Sequence, residues 1–353
     1  MSRGGPAAAR PLRIAQVAPP LEAVPPIAYG GTERIVAELV EELHRRGHHV
    51  TTFASGDSRI PGEHVVTVPT ALRPMGFGED PTRFFETTLR QVVDRAADFD
   101  LIHGHLERRN LDLIHAAPIP VVSTFHGRLD VPWARDAFLE RPPGLVAISQ
   151  DQARVHPEAD WTVIHHGLTF GEVPVDTTVG EHLSFVGRIT PEKGVLDAIE
   201  VARLTGRELR IAAKVPTLPT EIEYFEAVVQ PALGRADVSI LGELDEPDRD
   251  RLVASSHAAI IPSAWPEPFG LVVIEALALG TPVLVRRSGA IPELVRDGID
   301  GFVGDDAQQL AYFDARIDDL DRDTIRASAR ERFSVGRMVD RYETLYRSMI
   351  AGR

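Results

Sequence analysis

At 353 residues the chain is long for a single core, and two domains are expected. A formal net charge of −14, from 38 basic and 52 acidic side chains, argues against nucleic acid as the main partner, because binding a phosphate backbone needs a basic face. The lack of cysteine removes disulfides and thiolate chemistry, and no stretch approaches the ~18 apolar residues of a membrane span.

Residues 1–10 lack the apolar core of a signal peptide and read as a disordered tail on a cytoplasmic protein. Strand-like and helix-like patterns then alternate. Residues 13–18 form a short apolar run. Residues 32–46 carry Ile35, Val36, Leu39, Val40 and Leu43 on one helical stripe, stopped by Gly47. Strands are predicted at 49–54, 101–103, 121–125, 145–149 and 161–164, and a core helix at 83–97. In the second half, strands are predicted at 183–186, 209–213, 238–241, 258–261 and 283–286. Helices fall between them at 195–204, 221–233, 246–255 and 271–279, and an amphipathic stretch closes the chain at 335–349. This repeated βα alternation predicts an α/β fold of two doubly wound parallel-sheet domains. The expected boundaries are 11–170 and 171–334, with a linker within 167–181. Ligands of such sheets bind beyond the carboxyl ends of the strands.

Of the 38 basic side chains only two are lysines, Lys193 and Lys214. Arg188 and Lys193 follow the strand at 183–186 and suit a diphosphate clamp; the plainer alternative is two surface charges on a loop. Gly30-Gly31 open the first helix, where backbone amides favour an anion, or they give the loop a flexible backbone. No dinucleotide fingerprint is present, so a nicotinamide cofactor is not indicated. His126, after the strand at 121–125, is either a substrate contact or a hydrogen-bonded loop histidine. His103 and His105 flank Gly104, and His165-His166 precede Gly167. No histidine–carboxylate set has metal-binding spacing, so no structural metal is expected.

Residues 262–280 carry the strongest signal. A proline-bounded loop presents Glu267, and Gly270 opens a helix that is apolar nearly all round. Glu275 lies inside that helix and needs partners, either ligand hydroxyls or an arginine. Glu267 is either a ligand contact or a solvent-exposed loop acid. The amides of Phe269, Gly270 and Leu271 stand at the helix start, where phosphate oxygens are favoured.

The seven residues between Glu267 and Glu275 resemble the E-x7-E motif of the retaining glycosyltransferases of family 4. Further family-like motifs appear in order: Gly30-Gly31, Thr124-Phe125-His126-Gly127, Gly187-Arg188 with Glu192-Lys193-Gly194, Glu267-Pro268-Phe269-Gly270, Gly280-Thr281-Pro282-Val283 and Gly289-Ala290-Ile291-Pro292-Glu293. The resemblance covers roughly residues 11–350. It implies the GT-B architecture, two Rossmann-like domains facing across a cleft, with the donor bound by 171–334, the acceptor by 11–170, and the helix at 335–350 crossing back to the first domain. It implies that Arg188 and Lys193 hold a nucleotide diphosphate, with the amides of Phe269, Gly270, Leu271, Gly30 and Gly31 completing the cradle. Glu275 would bind the ribose, Glu267 the donor sugar's hydroxyls, and His126 would sit by the sugar. Lys214 would contact base or phosphate, or be plain surface charge.

The implied reaction is metal-independent transfer from a nucleoside-diphosphate sugar to a hydroxyl acceptor, with no cofactor. A UDP-sugar is expected first and a GDP-sugar second; the hydroxyl acceptor is a small molecule, a glycan or a lipid-linked compound. Asp248-Arg249-Asp250 and Asp321-Arg322-Asp323 have a metal-binding D-x-D form but fall in or beside predicted helices and read as chance acids. His165-His166-Gly167 departs from the family's usual asparagine-glycine pair. The alternatives are a nucleotide-sugar epimerase, a phosphorylase or a non-catalytic sugar-nucleotide binder on the same fold. Residues 56–80 and 104–112 are the expected acceptor loops, and 69–81 is the expected lid.

Overall fold

The computed structural model describes residues 10–27, 30–76, 80–172, 178–214, 216 and 218–352. The expected tail, lid and linker fall in part outside the described residues, at 1–9, 77–79 and 173–177. The chain forms two compact units, one from residues up to Ile148, Gln152–Leu168 and Val335 onward, the other from Ser149–Asp151 and Thr169–Ser334.

In chain order the first unit holds β1 (Arg13–Val17), α1 (Gly31–Arg45), β2 (His49–Ser55), β3 (Glu63–Val68), α2 (Thr82–Asp94), β4 (Leu101–Gly104), α3 (Arg109–Ala116), β5 (Val121–Phe125), β6 (Leu145–Ala147), the greater part of the short α4 (Gln150–Arg154), whose Gln150 and Asp151 fall in the second unit, and β7 (Thr162–Val163). Among the described residues its strands make one seven-stranded sheet in the order β3-β2-β1-β4-β5-β6-β7, and every pair is parallel. The apolar runs of β1, β4 and β5 are buried on both faces, as a parallel sheet covered by helices requires. β3 escaped the sequence reading because it is an edge strand whose first four residues are exposed or half-buried, so its pattern lacks an apolar run.

The second unit holds β8 (Leu183–Arg188), α5 (Val195–Thr205), β9 (Leu209–Lys214), α6 (Pro219–Tyr224), α7 (Gln230–Leu233), β10 (Val238–Gly242), α8 (Glu246–Ser255), β11 (Ala258–Ile261), α9 (Leu271–Ala278), β12 (Val283–Arg286), α10 (Ile291–Leu294), β13 (Gly301–Gly304), α11 (Ala307–Asp314) and α12 (Arg322–Arg332). Among the described residues its strands make one six-stranded sheet in the order β10-β9-β8-β11-β12-β13, the doubly wound order of dinucleotide-binding folds. The helix expected at 221–233 is interrupted: α6 widens into a π-turn over Phe225–Val229 before α7. Pro231 supplies the reason, since it has no amide to continue an α-helical ladder. Strand β13 is only four residues long and begins and ends in glycine, which hid it from the sequence pattern.

The last helix, α13 (Val335–Ala351), belongs to the first unit. Met338, Val339, Tyr342 and Tyr346 form its buried stripe. Arg46 anchors it, donating to Asp340 at 2.6 Å, to the Gly336 carbonyl at 2.9 Å and also to Glu343. No described helix is long and apolar enough to cross a membrane.

Candidate active site

In both sheets the strand order reverses beside the first strand of the unit, between β1 and β4 and between β8 and β11. Crevices at the carboxyl ends of such strands are where doubly wound folds bind ligands.

In the second unit these ends gather most of the residues singled out from the sequence. Arg188 is the last residue of β8, and Lys214 is its register partner at the end of β9, with its side chain exposed. Lys193 follows β8, Glu267 follows β11, and the Lys193 ammonium donates to Glu267 Oε1 at 2.5 Å across 74 positions of sequence. The Ser263 hydroxyl donates to the same oxygen at 3.1 Å. Two glycines make this approach possible. A Cβ at Gly194, where φ is +74°, would lie 2.2 Å from the Pro262 carbonyl oxygen. One at Gly289, where φ is +54°, would lie 2.4 Å from that of Glu267. The Ala290 amide, beside Gly289, donates to that same carbonyl at 2.9 Å. Arg188 donates to Glu192 at 3.3 Å and lies 3.9 Å from Glu221.

Gly270 caps α9 with no side-chain cap, and Phe269 is buried edge-to-face against Phe333 at 6.4 Å between ring centres. The amides of Phe269, Gly270 and Leu271 thus stand at an uncapped helix start, although α9 is short. Glu275 lies one turn further on, mostly buried, 3.7 Å from Arg249. Arg249 in turn donates to Asp250 at 3.0 Å, and burial raises the Asp250 carboxyl above its usual range. The sequence presents Arg249 only as part of a chance D-x-D string; its contact with Glu275 is not legible because the two lie on different helices, α8 and α9, with β11 between them, and so share no local spacing. In the other such string, Asp321 caps α12 by accepting from the Asp323 amide. Among the described residues no group of three or more histidines and carboxylates is placed to hold a metal ion.

In the first unit Gly30 precedes α1, which has no side-chain cap, and Gly31 is its first residue. Glu33 in the first turn is buried, which raises its carboxyl, while its own backbone amide works against that shift.

His126 follows β5 and is surrounded by histidines. Its Nε2 lies 2.9 Å from His105 Nδ1, and its ring stacks on His166 with centres 5.1 Å apart. Burial depresses His126 to about 3. The Glu107 carboxylate accepts from the amides of His126 and Gly127 at 2.8 and 3.1 Å. Burial pushes this carboxyl up to about 7 despite those amides. Glu107 has φ of +51°, a left-handed backbone that few non-glycine residues adopt. Nothing in the sequence marked Glu107, since neither that backbone nor its partners leave a local pattern.

The family model for glycosyltransferase family 4 matches residues 29–169, and that for glycosyl transferases group 1 matches residues 180–334. The chain is 27% identical to the phosphatidyl-myo-inositol mannosyltransferase of Mycolicibacterium smegmatis, covering 94% of this chain and 90% of that protein. It is 26% identical to the glycogen synthase of Mycobacterium tuberculosis, over 78% of this chain and 79% of that one. Among solved structures it resembles AviGT4, a glycosyltransferase involved in avilamycin A biosynthesis, with a TM-score of 0.73, 27% identity and coverage of 97% and 99%. Two Rossmann-like parallel-sheet units, each with polar side chains at its strand ends, define the GT-B class. The chain belongs to glycosyltransferase family 4, and it is a hexosyltransferase that uses a nucleotide-sugar donor.

Proposed function

We propose that the enzyme moves a sugar from a nucleoside-diphosphate sugar to a hydroxyl acceptor with net retention of anomeric configuration and without a metal ion. The observation that carries the reading is the meeting of Lys193 and Glu267 at 2.5 Å where the second sheet reverses, with Arg188 at the end of the adjoining strand. A cation suited to a diphosphate and a carboxylate suited to sugar hydroxyls are thereby held side by side.

In this reading residues 171–334 bind the donor and 11–170 the acceptor. Arg188 and Lys193 take up the charge that develops on the departing diphosphate, the task a metal ion performs in other transferases. The amides of Phe269, Gly270 and Leu271 add helix-terminal dipoles, and those of Gly30 and Gly31 supply the same from the first unit. Glu275 accepts from the ribose hydroxyls, Glu267 from the sugar hydroxyls, Lys214 contacts base or phosphate, and His126 lies by the sugar. The bond from the anomeric carbon to the phosphate oxygen breaks. The acceptor oxygen bonds to that carbon on the same face, and its proton passes to the released phosphate. A UDP-sugar is the first donor to try. The mannosyltransferase relatives, named for phosphatidyl-myo-inositol, make a lipid-borne hydroxyl the first acceptor. A cytoplasmic location belongs to the same reading.

Calorimetry with UDP, GDP, ADP and dTDP in the presence of a chelator tests it. One diphosphate should bind, and Lys193→Ala should weaken it. Binding of none, or binding that vanishes with the chelator, overturns the clamp.

A further inference from the structure

The first unit contains a hydrogen-bond chain that leaves His126 and ends on α13. His126 Nε2 meets His105 Nδ1 at 2.9 Å, and His105 Nε2 meets Gln16 Oε1 at 3.0 Å. Gln16 Nε2 donates to the Tyr346 hydroxyl at 3.2 Å, and that hydroxyl meets His103 Nδ1 at 2.6 Å. His103 Nε2 meets the Thr124 hydroxyl at 2.8 Å, which meets that of Tyr342 at 2.9 Å. Gln16, His103, His105, Thr124, Tyr342 and Tyr346 all have 0% of their surface exposed. The register explains the assembly: Gln16 on β1 is the direct partner of His103 on β4, and α13 covers them with its tyrosines.

The chain has a direction. An amide oxygen only accepts, so His105 Nε2 carries a proton and donates to Gln16. Burial holds His105 well below its usual range, so the ring is neutral and its Nδ1 is bare. That nitrogen can only accept, which puts the shared proton on His126 Nε2. His126 is also neutral, so its Nδ1 is the bare atom. This nitrogen is buried and has no hydrogen-bond partner among the described residues. Beyond Gln16 the same logic runs on: the Tyr346 proton faces His103 Nδ1, and His103 Nε2 donates to Thr124.

We propose that this chain makes His105, Gln16 and Tyr346 positioning residues for His126, fixing it as a neutral ring protonated at Nε2 and bare at Nδ1. Helix α13 is thereby coupled to the group assigned beside the donor sugar. His126 orients and accepts; it does not exchange a proton with substrate. The functional part of the inference rests on the proposed glycosyl transfer, but the tautomer does not.

The test is nitrogen NMR of the full chain labelled in histidine, with the His126 signals assigned by their loss in His126→Gln. Wild type should show one neutral His126 tautomer, protonated at Nε2, from about pH 6 to about pH 8. Tyr346→Phe keeps the shape of the side chain but removes the hydroxyl that links Gln16 to His103. It should show both His126 tautomers and lose about three- to tenfold in kcat, the scale of one hydrogen bond, with nucleotide affinity unchanged. Should Tyr346→Phe fail to fold, Gln16→Met cuts the chain one link nearer His126, and the wild-type tautomer is decisive without either variant. A wild-type His126 protonated at Nδ1 means that the chain runs the other way and overturns the proposal. So does a single unaltered tautomer in a folded Tyr346→Phe protein. Because the measurement needs no substrate, its failure is distinct from failure of the proposed reaction.

Discussion

The two sheets share their strand order over six strands, yet their carboxyl ends are furnished in opposite ways. The second unit places ion pairs near solvent: the Lys193 and Glu267 side chains keep 24% and 15% of their surface exposed. The first unit buries a chain of neutral groups completely. A bare charge in such a core would cost several kcal/mol, whereas neutral rings and hydroxyls need only be hydrogen-bonded. On the proposed reading, charge stands where a leaving diphosphate would need it, and neutral contacts stand where one ring is to be held still. The fold supplies the crevices, and the side chains at the strand ends decide which kind of work each performs.

Removing charge from the second unit should break this contrast most severely. Lys193→Ala should lower kcat by roughly 10²–10³, the scale for losing one group that stabilises charge in the transition state. Steady-state kinetics would read the loss, and near-normal turnover would remove Lys193 from the clamp. Glu275→Gln should have the next largest effect, weakening nucleotide diphosphate binding by about tenfold while the melting temperature holds. Arg249, 3.7 Å from Glu275, supplies the opposing outcome. If Glu275 serves only that ion pair, the melting temperature falls and the calorimetric affinity stays.

The same contrast explains what the sequence made legible. Strands β11 and β12 match their expected bounds residue for residue, because buried parallel strands read as unbroken apolar runs. Lys193 and Glu267 were legible too, since proline, glycine and charge cluster around each in short ordered motifs. The relay of the first unit was not. His103 and His105 were noticed as neighbours of Gly104, but their partners Gln16 and Tyr346 are 330 positions apart and lie in ordinary strand and helix patterns. A hydrogen-bond chain of neutral residues has no characteristic spacing, because each link is made by a different element. Glu107 escaped for a related reason: its role depends on two backbone amides that any residue could supply.

Glu107 sharpens the comparison, since it is the acid that tests how strictly the neighbourhood of His126 is kept neutral. In the unfolded chain its carboxyl titrates near 4.5, and burial lifts it to about 7 in the folded protein. Below about pH 4.5 it is protonated in both states and has no effect on stability. As pH rises, the unfolded chain releases this proton first, so Glu107 lowers stability progressively until about pH 7, where the folded protein releases it too. The side-chain amide of a Glu107→Gln variant keeps an oxygen for the amides of His126 and Gly127 and cannot titrate. The melting temperature of that variant should therefore gain on wild type between these two pH values, on the order of 5–9 °C, and then run parallel. Thermal melts at close pH intervals would measure the difference. A constant offset from acid to neutral pH would mean that Glu107 titrates in the folded protein as it does in the unfolded chain, so that a charge sits beside His126 from about pH 4.5 upward.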